Sequence, residues 1–476
     1  MMGKYNYLNI LIGSFFAVLS LAACSGDSES TSGDEKDPWD AVAAIEGRIV
    51  KPTFRDKDYP ITDFGAIDGG KTDCTLAFRT AIETCNKEGG GRVVVPAGNY
   101  LTGAIHLLSN VNLHLEKGAT ILFSTKPSDY LPLVHTRWEG VELMGYSPLI
   151  YAFEQKNIAI TGEGTLDGQA NETNWWPWKG NEHYGFKPGS PSQLDKDKRA
   201  ALFGMAEQGV PVADRKFGEG SYLRPQFVQP YRCENVLIEG VTLVNSPMWL
   251  LNPVLCTNVT IDGVTMTSNG PNNDGCDPES CKDVLIKNCY FNTGDDCIAI
   301  KSGRNADGRR LNVPSENILI ENCNMANGHG GVVIGSEVSG GVRNVFARNC
   351  QMNSPELDRA LRIKTNTARG GTIENIYMKD IEVGQVKEQT IIATMMYEDT
   401  GSYMPTIRNI EVRNMTVKQG GKTGILLQGY EESPITNVRL NNVTINGVKV
   451  PYEFNHASDI SSKNLTINGK ETQFDQ

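Results

Sequence analysis

Asn235-Val236-Leu237-Ile238, Asn258-Val259-Thr260-Ile261, Asp283-Val284-Leu285-Ile286 and Asn317-Ile318-Leu319-Ile320 are versions of one phrase, which returns at Asn344, Asn375, Asn409, Asn437 and Asn464. Its intervals run from 23 to 34 residues, the mark of a repeat array with loops of variable length. In nearly every copy the first and third residues after the opening Asn or Asp are apolar, the two-residue period of a strand with one face inward. Position five holds Gly240, Gly263, Asn288, Asn322, Asn349, Asp380, Asn414 and Asn442, residue types that tolerate positive φ, so a sharp bend is expected there. Position six is apolar again, at Val241, Val264, Cys289, Cys323, Cys350, Ile381, Met415 and Val443. Several short strands per repeat, with no second helical pattern, imply an all-β fold: a single-stranded right-handed parallel β-helix whose coils stack about 4.8 Å apart. Earlier coils are visible at Gly91-Arg-Val-Val-Val, Val111-Asn-Leu-His-Leu and Asn157-Ile-Ala-Ile.

An open solenoid end needs a cap, and the segment from Thr72 to Glu83 supplies it. Thr72 or Asp73 is the expected N-cap of an amphipathic helix that ends before Gly89. Cys74 and Cys85 fall on one face of that helix, about 16 Å apart along its axis, too far to pair. Cys233, Cys256 and Cys281 form a second thiol stack beside the one at position six. These read as core residues, with a disulfide between Cys297 and Cys323 as the expected exception.

The 476 residues are 39 % hydrophobic and 21 % charged, with a net charge of −11. This is a globular composition whose acidity argues against nucleic acid or an anionic membrane surface as partner. At the N-terminus an apolar run from Asn9 stops at Leu21-Ala22-Ala23-Cys24, followed by a polar Gly/Ser-rich stretch. The run suits a signal peptide, and its end resembles a bacterial lipobox. The expected organisation is a signal peptide over 1–23, lipidation of Cys24, a tether over 24–45 and a β-helix over 46–476. The chain is then an exported lipoprotein, periplasmic or on the outer membrane or cell surface, attached only through its lipid and acting as a monomer.

Repeat arithmetic gathers the chemistry. Asp295 lies twelve residues after Asp283 and His329 twelve after Asn317, so the two should stack one rung apart. Aligning Asp274-Gly-Cys276 with Asp295-Asp296-Cys297 adds Asp274 on the next rung. Arg362 and Lys364 alternate on a strand and can reach back toward the group. Glycoside hydrolysis needs such a set, one carboxyl to protonate the leaving oxygen and one carboxylate to activate water or attack carbon. Arg359, Arg362, Lys364 and Arg369 fall in eleven residues without an acid, which favours an anionic substrate.

At these residues the sequence resembles the polygalacturonase family of pectin-cleaving glycoside hydrolases, family 28. The resemblance rests on Asn272-Asn273-Asp274 with Asp277, Gly294-Asp295-Asp296-Cys297, Gly328-His329-Gly330 and Arg362-Ile363-Lys364, supported by the Asp63–Ala66 start. Asn273 stands where many members carry Thr. The resemblance implies inversion without a cofactor or metal, with Asp295 as proton donor, Asp274 and Asp296 holding the attacking water, and His329 tuning the acid. It also implies that Arg362 and Lys364 bind the sugar carboxylate, with Asn272, Asp277 and Tyr397 at the substrate. The expected substrate is a pectic polysaccharide or oligogalacturonide. The alternatives are a rhamnogalacturonan or xylogalacturonan hydrolase, a pectate lyase using Ca²⁺, or a glycan-binding solenoid.

Between the coil starts at 157 and 235 lie about 50 residues more than one coil needs, an insertion over roughly 169–225. It contains Trp175, Trp176, Trp178, Arg199, Arg215 and Arg224, types that stack on sugar rings and grip carboxylates. It is expected to close one end of the cleft and so to give exo attack; shielding of the solenoid side is the alternative.

Overall fold

The computed structural model describes residues 37–475. Residues Pro38–Asp40 form a single 3-10 turn. The chain from Ala41 onward is one unit, built as a right-handed parallel β-helix. The phrase strands pair in sequence and in parallel: Val236 opposes Val259, which opposes Val284, then Ile318, Val345, Ile376, Ile410, Val438 and Ile460. A second parallel wall runs through Ile298–Ile300, Val332–Ile334, Leu361–Lys364, Gln389–Thr394, Gly421–Gln428 and Val448–Asn455.

Both bends of each coil are built from left-handed residues. The expected bend has φ of 51 to 57° at Asn288, Asn322, Asn349, Asp380, Asn414 and Asn442. The phrase-opening residues from Asn235 to Asn437, not anticipated as a bend, have φ of 55 to 60°; Asn464, counted as a phrase start from sequence, lies instead in the other bend, its Nδ2 donating to Asn442 Oδ1 at 2.8 Å. Their amides form a ladder along the solenoid: Nδ2 of Asn344 donates to Oδ1 of Asn317 at 3.1 Å, Asn375 to Asn344 at 3.0 Å and Asn409 to Asn375 at 2.8 Å. Each coil thereby satisfies a side-chain polar group of the one before it. The ladder is interrupted between Asn258 and Asp283. There the backbone N–H of Val50 donates to Asn258 Oδ1 at 3.0 Å, and Arg48 grips Asp283 at 2.7 Å.

The cap helix is Thr75–Lys87, burying Ala77, Phe78, Ala81, Ile82 and Cys85 against the first coils. Cys74 occupies the N-cap position, one residue later than expected, while the Asp73 carboxylate accepts from the Thr75 N–H at 2.9 Å. All ten described cysteines are buried free thiols, so the expected bridge between Cys297 and Cys323 is absent; the two sit in different inward stacks. Ala41–Glu46 is helical where a tether to 45 was expected, and Glu46 is fixed by Arg348 at 2.7 Å. The lipidation site Cys24 lies outside the described residues.

Two excursions leave the second wall on its N-terminal side. One is the antiparallel hairpin of Val134–Trp138 and Val141–Gly145. The other is the expected insertion, containing the helix Arg199–Glu207 and a short strand, Lys216–Phe217, that pairs with the hairpin.

Candidate active site

The site lies where the second wall bends into its loops. Register there is fixed by the pairing of Ile298 with Val332 and of Cys276 with Ile298. The first places His329 beside Asp295, as the repeat arithmetic expects. The second corrects that arithmetic by one residue: Asp274 stands in register with Asp296, not Asp295. Gly294 has no room for a side chain, because a Cβ there would lie 2.3 Å from the carbonyl oxygen of Gly270. That close approach brings the Asp295-Asp296 turn against the preceding coil.

Three carboxylates converge. Asp274, Asp295 and Asp296 each offer an oxygen within 4.8 Å of the others, nearer than the roughly 6.5–9.5 Å between the carboxyls of a simple inverting pair. Asp295 is the accessible member, 21 % exposed, and its Oδ1 lies 2.9 Å from Nδ1 of the half-exposed His329. Asp274 and Asp296 lie deeper, 4 % and 1 % exposed. Lys364 Nζ approaches Asp296 at 2.7 Å and Arg362 Nη1 at 3.2 Å. The Tyr397 ring lies 5.5 Å from the Arg362 guanidinium and 5.2 Å from the Lys364 ammonium.

These contacts divide the protons. Burial raises Asp295, but the hydrogen bond and charge of His329 outweigh it and hold the carboxyl below its ordinary value. Reciprocally, that bond raises His329 to about 9. Burial likewise opposes ionisation of Asp296, and Lys364 and Arg362 overcome it. Asp274 goes the other way, pushed well above the carboxylate range by burial and by Asp277 and Asp295. The crowded set is therefore driven apart, Asp296 toward the carboxylate and Asp274 toward the protonated carboxyl, beside an Asp295–His329 pair that shares one proton.

Other sequence candidates divide clearly. Asn272 lines the cleft, and its Oδ1 accepts from Lys179 at 2.9 Å and Arg224 at 2.8 Å. Asp277 does not line it: the residue is fully buried behind Asp274, 3.5 Å from Lys301, so direct contact with substrate is excluded. Asn273 is also buried; its amide ties Ser268, Gly270, Ser246 and Met248 together, a loop-holding role needing more polar atoms than Thr supplies. Arg359 reaches the backbone oxygen of His329 at 3.3 Å. Arg369 is buried on Asn305 and Asp399, away from the anion site expected for it.

The insertion does wall one side of the cleft, through Lys179 and, of the six residues expected, Arg199 alone. Trp175 is buried against Tyr130 and Trp178. Trp176 donates to the Ser246 oxygen and packs so closely on Gly270 that a Cβ there would lie 2.3 Å from its ring. The tryptophans thus fasten the insertion to the solenoid and are spent on that packing. Arg215 is buried in an ion pair with Asp307 at 2.8 Å. Arg199 lines the cleft, paired with Glu139 at 2.7 Å.

The lining residues missed from sequence include Glu139, Lys179, Trp249, Lys301, Arg304 and Glu337, around a cleft of about 530 Å³ that opens to solvent. Lys301 had a signal. It follows Ile300 as Lys364 follows Ile363, and Ile300, Ile334 and Ile363 are in register. Its ammonium sits 3.3 Å from Glu337 and 3.8 Å from Asp274. Glu139 and Lys179 come from the two excursions, which the repeat does not index.

The three aspartates are the one described group able to offer a metal three acidic ligands. Each already faces a basic side chain, His329, Lys301 or Lys364, a donor set better matched to proton transfer than to Ca²⁺.

Comparison with known proteins gives a consistent picture. The family model for glycosyl hydrolases family 28 matches residues 210–467. A probable polygalacturonase of Vitis vinifera is 30% identical over 427 residues, covering 84% of this chain and 78% of the relative. The exo-poly-alpha-D-galacturonosidase of Dickeya chrysanthemi is 29% identical, covering 86% and 70%. Among solved structures, a hyperthermoactive exopolygalacturonase from Thermotoga maritima superposes with a TM-score of 0.88 at 46% identity, covering 91% of this chain and 96% of that one.

Proposed function

We propose, because this chain belongs to glycoside hydrolase family 28, that it hydrolyses α-1,4-galacturonide links of pectic polysaccharide from a chain end. The observation that carries this reading is a cleft in which three aspartates and the Arg362–Lys364 pair meet an insertion walling one side. The likeness to the Thermotoga exopolygalacturonase supports the exo mode.

In this reading Asp295 delivers the proton it shares with His329 to the glycosidic oxygen, and the bond from that oxygen to the anomeric carbon breaks. Water held between Asp274 and Asp296 attacks the carbon from the other face. Its proton passes to the ionised Asp296, while protonated Asp274 orients it. Lys364 and Arg362 hold Asp296 as a carboxylate in the free site, and a galacturonate carboxylate entering beside them, with Tyr397 against its ring, would share their charge.

Leu21-Ala22-Ala23-Cys24 supports export as a lipoprotein anchored through Cys24. Radiolabelled palmitate incorporation that is lost in Cys24→Ala tests that part.

A time course on polygalacturonan tests the catalytic reading. Exo action releases mono- or digalacturonate while viscosity falls slowly; an early viscosity drop with mixed oligomers would reject it.

A further inference from the structure

Five basic side chains line the cleft, and four have an acidic partner. Arg199 faces Glu139 at 2.7 Å, Lys301 and Arg304 face Glu337 at 3.3 Å each, and Lys364 faces Asp296 at 2.7 Å. Lys179, from the insertion, is the exception: among the described residues no carboxylate lies within 4 Å of its ammonium. Of its three donors only one has an acceptor, the neutral Oδ1 of Asn272 at 2.9 Å.

Arg224 stands behind the same oxygen. It is fully buried, and its acceptors are all neutral: the carbonyls of Pro247 and Pro271, Gln193 Oε1 and Asn272 Oδ1. Two cations thus share one amide oxygen at the walled end of the cleft. Uncompensated charge at a desolvated position is costly unless an anion arrives to pair with it. Burial lowers Lys179, with Arg224 and Arg199 adding to it and the more distant Glu139 only partly opposing; burial likewise lowers Arg224 to about 10 against the pull of Glu139.

We infer that Lys179 binds the carboxylate of the chain-terminal uronate, forming a second anion site at the walled end, opposite the Arg362–Lys364 pair. The inference rests on the exo-galacturonanase reading and sharpens it. With anion sites on both sides of the scissile bond, the substrate must carry acidic sugars on both sides. A backbone alternating uronate with a neutral sugar leaves one site empty, so homogalacturonan is favoured over rhamnogalacturonan. Esterifying the terminal carboxyl leaves Lys179 facing a neutral group.

The test compares trigalacturonate with the same trimer methyl-esterified on the residue to be released. Wild-type enzyme should prefer the free acid in kcat/KM by roughly 10- to 100-fold, the range for a hydrogen bond to a charged group. Lys179→Met should raise KM for the free acid and erase the preference; Lys179→Arg should recover part of it. Wild-type enzyme that cuts both trimers within about twofold, or a Lys179→Met enzyme with the preference intact, would overturn the assignment. The wild-type comparison stands even if the methionine variant does not fold. Failure of the exo reading itself would look different, as internal products on long chains.

Discussion

His329 Nδ1 and Asp295 Oδ1 lie 2.9 Å apart on adjacent rungs of the solenoid, so two coils together hold one proton at the mouth of the cleft. Each group shifts the other, and the pair stays ionic across the neutral range. The stability it contributes is complete between the ordinary values of the two groups, 3.8 and 6.5. It declines as pH rises through about 9, where His329 loses its proton, and again in strong acid as Asp295 gains one.

The pH profile of kcat/KM is expected to show an alkaline limb near pH 9, set by His329. In His329→Ala, Asp295 loses the main cause of its lowered value, so the limb should move to more acidic pH while kcat falls. A limb unmoved in the variant would assign it to another group.

Asp295→Asn keeps the shape of the carboxyl and removes the proton it donates. Turnover should drop by about 10² to 10⁴, the scale of a lost general acid, with oligogalacturonide binding retained by calorimetry. Near-normal turnover would place the acid elsewhere, with Asp274 the next candidate because burial and its acidic neighbours favour its protonated form.

Proton NMR of the first-formed sugar should show the inverted anomer. Two carboxylates on the base side suit the holding of a water. A retained anomer would mean that one of them attacks carbon directly.

A chelator should leave activity unchanged, and the products should carry no unsaturated ends. Absorbance of an unsaturated uronate, or loss of rate with EDTA, would favour the lyase alternative.

Arg215→Ala should destabilise the protein by about 1.5–3 kcal/mol, the scale of a lost hydrogen bond between charged groups. Asp307 would lose its 2.8 Å guanidinium partner but keep Arg310 at 3.2 Å. The comparison is by denaturant unfolding; a change below about 1 kcal/mol would show that the pair is dispensable.

How much could be read in advance depended on the repeat. Wherever a residue can be counted from a phrase start, as with Asp295 and His329, sequence spacing predicts its place, because parallel coils transmit register from rung to rung; Arg362 and Lys364 are legible from their alternation on a strand, since their coil is two residues longer before the second wall. The one-residue slip at Asp274 has a physical source: its coil has only isolated bridges at Cys276 and Glu279 in place of a regular strand, so no strand pattern fixes its count. Lys179, Glu139 and Arg199 belong to excursions whose path is set by aromatic packing and buried ion pairs between segments far apart in sequence. Composition identified the insertion but not which of its side chains turn inward.

The segment from Glu46 to Val50 has a consequence for assembly. Its partners are Arg348, Asp283 and Asn258, which lie 302, 235 and 208 residues further along the chain. The part of the polypeptide made first therefore finds its place only after the middle coils exist. It closes over them as a late latch, while the coils from Asp58 to Glu239 pair among themselves and need not wait for it.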